Sequence, residues 1–466
     1  MQPEDPRDRR IAELEAQLAA ALIVIDRLTA RVADLEARLA RNSMNSSNPP
    51  SSDPPGTMRP RSKMSGRKPG GQPGHKGHRR ELVPVEDVDK LTVLKPSHCG
   101  KCEAPLDGED SEPLRHQVIE LPPMRPLVLE WQQWARGCRR CGAVTRAELP
   151  SDVPRTGFGD RLCALVALLA GKCHLTKRTT QELLADAFGI EMGLGSVSNI
   201  EQTMSGALAP GVEAARTHVR AAAVVHPDET SWRQARDKAW LWTAATPTVT
   251  VFQINRSRGG DVARAMLGDP FLGKAVSDRW SGYNWIPVEQ RQVCLSHLIR
   301  DFQEIEDRGG VGAWVGTLLL KQMTKIFHWW HRMRDGKMTR ECLQKKSGAI
   351  EREVGQLLRL GGVCGNAKTA GMCTEILKLE SALWTFVYHD GVEPTNNRAE
   401  RAIRPAVLWR KGSFGTHSAA GSRFVERVLT VVATLKQQGR NIFDYLVAAA
   451  HSRFDGRPLP SLLPSA

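Results

Sequence analysis

Hydrophobic side chains near the N-terminus recur alternately three and four positions apart, which is the spacing of a coiled-coil seam. All nine seam positions are apolar: Ile11, Leu14, Leu18, Ala21, Ile25, Leu28, Val32, Leu35 and Leu39. β-Branched residues at a with leucine at d favour a parallel two-stranded coil. Residues 1–42 are therefore predicted to form a homodimer or a higher oligomer, the alternative being an amphipathic helix that packs on its own chain.

The hydrophobic pattern stops after this helix, and residues 43–95 are predicted to be a basic linker rich in Pro, Ser and Gly. Residues 42–80 contain almost no large apolar side chains, so they cannot build a core. Between Pro54 and Arg80 there are eight Lys or Arg and no acid. Such an arm can lie along DNA phosphates, or it can be a solvated linker without that role. The candidate contacts are Arg67, Lys68 and Lys76.

Two Cys-x-x-Cys pairs follow, thirty-five residues apart. They are Cys99 with Cys102 and Cys138 with Cys141. Four such thiolates are typical of a tetrahedral zinc site, and the Zn²⁺ should be structural because no coordination position stays open. Residues 96–150 are predicted to be a zinc ribbon, in which the alternating stretch Gln117–Leu121 forms a strand. Redox-active cysteines are the alternative.

Helical spacing returns over residues 155–215, where two helices flank a glycine-rich turn. The stretch from Thr179 to Gly189 is typical of a capped helix ended by glycine, and a second helix begins at Ser196. This order is typical of a helix-turn-helix-like DNA-binding domain, although an ordinary helical hairpin is the alternative. The candidate DNA contacts are Ser196, Ser198 and Asn199.

Strand-like patterning marks residues 220–300. An apolar run ends at Asp228, two more strands follow, and a short helix is predicted over Gly260–Leu267. A fourth strand ends at Asp278, and a fifth comes soon after it. Three strands, a helix, a strand, a helix and a strand form the order of a ribonuclease-H-like α/β core. In such a sheet Asp228 and Asp278 would lie on neighbouring strands.

The rest of the chain is predicted to complete and surround this core. Residues 301–390 are helix-rich and longer than the core needs, so we expect a helical insertion there. Residues 391–437 should return to the core, and residues 438–466 should form a C-terminal helix and tail. The sequence therefore predicts a multidomain α+β protein.

Glu400 lies in the polar stretch Pro394–Arg404, whose Pro and Thr are typical of a helix start and which Pro405 should end or kink. Two aspartates at strand ends and a glutamate on a later helix are the parts of a two-metal phosphoryl-transfer site, since Mg²⁺ or Mn²⁺ prefers carboxylate oxygens. We therefore expect Asp228, Asp278 and Glu400 to hold these ions. The alternative is that the three carboxylates are structural.

Charge and hydropathy narrow the classes of partner. Lys and Arg exceed Asp and Glu by fourteen and the isoelectric point is near 9.5, which favours nucleic acid or an anionic membrane surface. The best apolar run, Leu162–Ala170, is too short for a membrane span, and the first residues contain no signal core. We therefore expect a cytoplasmic protein whose ten cysteines are metal ligands and free thiols rather than disulfides.

Six motifs are specific in combination. They are Asp228-Glu229-Thr230, Ser277-Asp278 with Gly282-Tyr283, Asn396-Asn397-Arg398-Ala399-Glu400-Arg401, Lys411-Gly412-Ser413-Phe414-Gly415, residues 45–52 (Asn-Ser-Ser-Asn-Pro-Pro-Ser-Ser) and residues 70–77 (Gly-Gly-Gln-Pro-Gly-His-Lys-Gly). Together they resemble bacterial DDE transposases of the insertion-sequence-66 type. The resemblance implies metal-dependent DNA cleavage at the ends of an insertion sequence and transfer of the freed 3′-hydroxyl into target DNA. It also implies terminal repeats, target DNA and helper proteins of the same element as partners.

The resemblance extends to side chains around the carboxylates. Cys294-x-x-His297 is similar to elements after the second Asp in several DDE families, so His297 would lie near the substrate phosphate, with plain packing as the alternative. A zinc role for this pair would need two more ligands. The supporting candidates are His297, Asn397 and Arg404, and the candidate phosphate contacts are Arg410 and Lys411.

Two other functions stay open. The chain could be a DNA-binding regulator or an inactive relative whose carboxylates are structural, or a metal-dependent nuclease without strand transfer. On any of these readings the protein would be associated with the bacterial nucleoid when it is bound to DNA.

Overall fold

The computed structural model describes residues 6–46, 53, 80–151, 153–455 and 457–464. The chain divides into two units, residues 1–57 with 128–466 and residues 58–127. In the larger unit, helix α1 spans Pro6–Leu39 and exposes every predicted seam position; Leu28, for instance, is 59% exposed. Among the described residues no element covers this face. The coiled-coil dimer stays a prediction.

The smaller unit is described over residues 80–127, and that part contains no α-helix and no strand. The predicted strand at Gln117–Leu121 is therefore wrong. The side chain of Gln117 bonds the backbone of Val83 instead: Nε2 donates to the carbonyl at 2.8 Å, and Oε1 accepts the N–H at 2.9 Å. The alternating pattern thus has no neighbouring strand in the described part with which to pair.

Two short antiparallel strands, β1 (Ala135–Gly137) and β2 (Val144–Arg146), precede a helical region in the larger unit. Its helices are α2 (Asp160–Gly171), α3 (Lys177–Phe188) and α4 (Leu194–Arg220). Thr176 caps α3 by accepting the N–H of Thr179 at 3.1 Å, and Gly189 ends it at a φ of +64°. Buried side chains of all three helices belong to the same hydrophobic core as the sheet that follows.

A five-stranded mixed sheet lies at the centre of that core. Its strands are β3 (Val224–Gln234), β4 (Asp237–Ala245), β5 (Thr250–Asn255), β6 (Lys274–Ser277) and β7 (Arg291–Val293), and α5 (Gly260–Leu267) follows β5 as predicted. The order is β5–β4–β3–β6–β7. The first three strands are antiparallel neighbours, whereas β6 and β7 run parallel to β3.

The register of the parallel pair brings two predicted residues level. Strand β3 pairs with β6 only at Val224–Lys274 and Val225–Ala275. Asp228 and Asp278 each follow the last pair by three residues (228 − 225 = 278 − 275 = 3). Strands β3 and β6 are therefore neighbours, as predicted, with Asp228 on β3 and Asp278 directly after β6.

The helix-rich segment after the sheet builds a second hydrophobic core. Its helices are α6 (Leu295–Asp307), α7 (Gly310–Arg334), α8 (Arg340–Gly361), α9 (Ala367–Leu377) and α10 (Thr385–Tyr388). Buried side chains from these helices pack together with Val276 of β6 and Val293 of β7. The insertion is thus seated on the parallel side of the sheet.

Helix α11 (Asn397–Ser413) carries Glu400 and is followed by α12 (Ala419–Gln437) and α13 (Ile442–Asp455). Of the two predicted effects of Pro405, an end of the helix or a kink, the end is wrong, because α11 continues through Pro405 for two more turns; the kink stays a prediction. Proline removes one backbone donor, but the buried side chains of Ala406 and Trp409 beyond it hold the helix against the sheet. Tertiary packing outweighs the local cost of the proline.

The outer edge of the sheet, strand β5, is covered by side chains of α12. The N–H groups of Thr250 and Phe252 donate to the hydroxyls of Thr434 and Thr430, at 3.1 and 3.0 Å. The N–H of Ile254 donates to Glu426 Oε1 at 2.6 Å. These three donors would otherwise be unpaired at a sheet edge. In the described part of the chain, no helix is long and apolar enough to cross a membrane.

Candidate active site

Asp228 lies half-buried on β3 among other carboxylates. Its Oδ1 accepts the N–H of Glu229 at 2.9 Å. Burial, together with the charges of Glu229, Asp278 and Glu400, raises the pKa of Asp228 well above its ordinary value, against the lowering effect of that N–H. The neighbouring carboxylates thus concentrate negative charge around Asp228, and this charge would favour a bound cation.

Asp278 stands at the end of β6, where its backbone is fixed by a buried arginine. Nη2 of Arg291 donates to the Asp278 carbonyl at 3.2 Å, and the Ser277 hydroxyl donates to the same carbonyl at 2.9 Å. The side chain uses Oδ1 to accept the N–H of Trp280 at 3.0 Å. The half-buried carboxylate thus projects from a rigid strand end.

Glu400 lies in the first turn of α11, opposite His297 of α6. Glu400 Oε1 and His297 Nδ1 are 3.8 Å apart, and both atoms are buried without a hydrogen-bond partner. Burial alone would lower the pKa of His297. The neighbouring Cys294 side chain and the charges of Asp278 and Glu400 nevertheless raise this pKa to about 9.

Asn396, directly before α11, ties three elements of the site together and is only 2% exposed. Its backbone N–H donates to Cys294 Sγ at 3.2 Å, and its Nδ2 donates to the Pro227 carbonyl at 2.8 Å. Its Oδ1 lies 3.3 Å from Nδ1 of buried His226. The sequence motif pointed to Asn397, a half-buried neighbour, although an asparagine just before a helix start is itself a signal.

Glu229, the residue after Asp228, is locked in a charged and aromatic cluster. Arg258 donates to Glu229 Oε1 from Nε at 3.0 Å and Nη2 at 2.7 Å, and the Tyr283 hydroxyl donates to Oε2 at 2.7 Å. The Arg258 guanidinium stacks between Trp240 and Trp280, 4.7 and 4.5 Å from the ring centres. Glu229 is therefore fully engaged in positioning, a role that only its place beside Asp228 could have suggested.

One group of three metal-ligating side chains converges in the described part of the chain. The donor atoms of Cys294, His297 and Glu400 all lie within 4.8 Å of one another. The oxygens of Asp228, Asp278 and Glu400 do not gather so tightly among the described residues. The fold thus brings the Glu400 carboxylate next to the Cys-x-x-His pair, a proximity that the sequence alone did not reveal.

The loop at Cys99 has the form of a metal-binding knuckle. The Cys99 N–H donates to the Ala104 carbonyl at 2.9 Å, and the Glu103 N–H donates to the Cys99 carbonyl at 2.9 Å. The backbone N–H groups of Lys101 and Cys102, followed by the Cys102 thiol, lower the pKa of Cys99. Thiolate formation, which metal binding requires, is therefore favoured.

The loop at Cys138, between β1 and β2, repeats this pattern. The Cys138 N–H donates to the Ala143 carbonyl at 2.7 Å, and the Gly142 N–H donates to the Cys138 carbonyl at 2.8 Å. Backbone N–H groups of Cys141 and Arg140 lower the pKa of Cys138. The two loops belong to different units, and the joint four-cysteine zinc site stays a prediction.

The predicted DNA contacts have varied surroundings. Arg67, Lys68 and Lys76 lie outside the described residues. On α4, Ser196 and Ser198 are half-buried and Asn199 is exposed, and the Ser198 hydroxyl accepts from Lys177 Nζ at 2.7 Å. Arg404 and Lys411 are exposed on α11, whereas the Arg410 guanidinium donates to the Thr230 hydroxyl at 3.1 Å and to Ser231. Contact of these residues with DNA stays a prediction.

Comparison with known proteins covers most of the chain. Residues 155–423, which include Asp228, Asp278 and Glu400, match the family described as Transposase IS66 family, and residues 3–81 match a family of unknown function (DUF6444). The uncharacterized protein y4qI of Sinorhizobium fredii (strain NBRC 101917 / NGR234) is 26% identical over 402 residues, 80% of this chain and 72% of that protein. The uncharacterized protein y4hP of the same strain is 24% identical over 393 residues, 77% of this chain and 69% of that protein.

Proposed function

The chain belongs to the Transposase IS66 family, and we propose that it is a DDE-type transposase acting on the ends of an insertion sequence. In this proposal it cleaves DNA at those ends and transfers the freed 3′-hydroxyl into target DNA. The mixed sheet, with its β5–β4–β3–β6–β7 order, would be a ribonuclease-H-like core.

The observation that carries the proposal is the equivalent placement of Asp228, on β3, and of Asp278, directly after the parallel neighbour β6, each three residues beyond the last paired position. Glu400 comes from a separate helix, yet its charge acts on Asp228 strongly enough to contribute to the raised pKa. Two carboxylates from a sheet and one from a helix can surround a phosphodiester from two sides. The same arrangement would be unnecessary in a protein that only binds DNA.

The side chains present fit Mg²⁺ or Mn²⁺. Asp228 and Asp278 each use Oδ1 for a backbone N–H, and among the described residues Oδ2 of both aspartates and Oε2 of Glu400 accept no hydrogen bond. Hard divalent cations prefer such oxygens. When bound by the three carboxylates, the ions would supply positive charge to the attacking and leaving oxygens of the phosphodiester.

The chain's own contribution is to hold these groups in place. Arg258 and Tyr283 fix Glu229 and thereby the strand position next to Asp228. Asn396 joins the start of α11 to the residue before Asp228, so Glu400 and Asp228 keep a constant relation. Positioning of this kind can account for a large part of a phosphoryl-transfer rate.

The remaining parts would serve DNA and assembly. We propose that the basic linker and the α3–α4 region contact terminal-repeat and target DNA, since the chain carries a formal net charge of +14. The exposed seam of α1 would join copies of the chain, and the four knuckle cysteines Cys99, Cys102, Cys138 and Cys141 would hold a structural Zn²⁺. Helper proteins of the same element would be further partners.

The test is a cleavage and joining assay with DNA carrying the element's own ends. Asp228→Asn, Asp278→Asn and Glu400→Gln should each abolish Mg²⁺-dependent nicking and joining while DNA binding persists. Their effects should be non-additive, because removal of one ligand already disables the site. Glu393→Gln is the matched control: Glu393 pairs with Arg398 at 2.8 Å and should tolerate the change.

The wild-type outcomes separate the alternatives. DNA binding without Mg²⁺-dependent nicking would indicate a regulator or an inactive relative. Nicking without joining would indicate a nuclease. Full activity in all three carboxylate variants would refute the proposed mechanism.

A further inference from the structure

The side chains of Cys294, His297 and Glu400 converge on one point outside the set of two strand aspartates. Cys294 occupies the N-cap position of α6, and His297 follows three residues later on the same helical face. Glu400 approaches from α11, a different element. Their donor atoms lie within 4.8 Å of one another, so a sulfur, a nitrogen and an oxygen share one small space.

Two of these atoms lack any other partner among the described residues. His297 Nδ1 and Glu400 Oε1 are both buried and unbonded, although buried polar atoms are normally satisfied. Their separation of 3.8 Å is too long for a hydrogen bond. Ligands of one tetrahedral zinc ion, at about 2.0–2.2 Å from the metal, would lie roughly 3.3 Å apart, so only a small adjustment separates the two arrangements.

The third atom, Cys294 Sγ, is held in place at the start of α6. It accepts the Asn396 N–H at 3.2 Å and lies at the N-terminus of a thirteen-residue helix. A hydrogen bond from a neighbouring group to a metal ligand is also the usual outer-shell support of a metal site. Inert packing would explain a buried cysteine but not the two unbonded atoms beside it.

We propose that Cys294, His297 and Glu400 bind one thiophilic divalent cation of the Zn²⁺ class. A thiolate, an imidazole and one carboxylate select zinc over magnesium. Three protein ligands leave a fourth position open, unlike a closed four-cysteine site. The zinc site adds to the proposed function, with which it shares Glu400. It also gives Glu400 two tasks, because Oε1 faces the zinc site while the carboxylate contributes to the charge around Asp228.

The experiment uses the full-length chain with all four knuckle cysteines changed to serine, so that zinc at the predicted ribbon is removed. After zinc loading and dialysis, we expect about one zinc per chain. Replacement by Co²⁺ should give a thiolate-to-cobalt charge-transfer band. Adding Cys294→Ser should remove the band, and adding His297→Gln should weaken zinc binding by ~100-fold or more, since even outer-shell changes cost 10–100-fold.

The matched control is Cys373→Ser in the same background. Cys373 is equally buried, but it lies in the core of the insertion, so the zinc content and the cobalt band should be unchanged. No zinc and no band in the parent background, or a band that survives Cys294→Ser, would overturn the proposal. Asp228→Asn distinguishes this site from the proposed active site: it should abolish nicking yet leave zinc content unchanged.

Discussion

Replacing Asn396 with alanine should loosen the join between β3 and α11. The side chain would give up its bonds to the Pro227 carbonyl, at 2.8 Å, and to His226, at 3.3 Å. Each loss leaves a buried partner unsatisfied, which costs about 1–3 kcal/mol. Loss of the longer bond, to His226, should cost the low end of this range. We therefore expect the local free energy of unfolding to fall by about 2–4 kcal/mol. The backbone bond from Asn396 to Cys294 would remain.

The assay is native-state hydrogen exchange of the peptide that contains β3, followed by mass spectrometry. Exchange of these amides should become roughly 30- to 900-fold faster, which is the same free energy expressed as an opening constant. Asn397→Ala is the matched control, because this neighbour makes no side-chain hydrogen bond to a described residue and should change the free energy by less than about 0.5 kcal/mol. Equal exchange in the two variants would refute the role of Asn396 in joining β3 to α11.

Three further predictions concern other parts of the chain. Cys102→Ser should unfold the segment around residues 96–145 and release zinc, since metal binding stabilises such small sites; unchanged melting and no zinc in the wild type would contradict this. Leu28→Glu should convert an α1-mediated dimer into a monomer in analytical ultracentrifugation, and an unchanged oligomer would remove the coiled-coil interpretation. Burial, aided by a nearby aspartate, raises the pKa of Cys163 to about 11, so iodoacetamide at pH 8 should label exposed Cys173 and leave Cys163 unmodified until the protein unfolds.

The sheet could be predicted because its signal is local. Runs of apolar residues that end at Asp228 and Asp278 indicate strands, and the order of strands and helices limits the topologies that can connect them. Helix α5 could be predicted for the same reason. Pro405 shows the limit of local rules, because the burial of Trp409 beyond it keeps the helix intact.

The contacts around the site could not be predicted in the same way. Cys294 and His297 form a visible spacing, but their third companion, Glu400, lies beyond the whole helical insertion and is brought back only by the fold. The bond from Asn396 to Pro227 likewise joins segments that have no periodicity in common. Single side chains that connect distant elements leave no pattern in a sequence.

Side chains of α12 can bond successive N–H groups of β5 because the spacing of these side chains along the helix nearly matches the spacing of the donors along the strand. Glu426, Thr430 and Thr434 are four residues apart, about 6.0 Å along a helix, while the strand donors are two residues apart, about 6.8 Å. The mismatch of roughly 0.8 Å per step accumulates, so a straight helix can follow an extended strand in this manner for only a few steps. A longer β5 would extend beyond the side chains of α12 and expose unpaired backbone N–H groups to another strand. The length of this edge strand is thus limited by the geometry of the helix beside it, which keeps this edge of the sheet from pairing with a strand of another molecule.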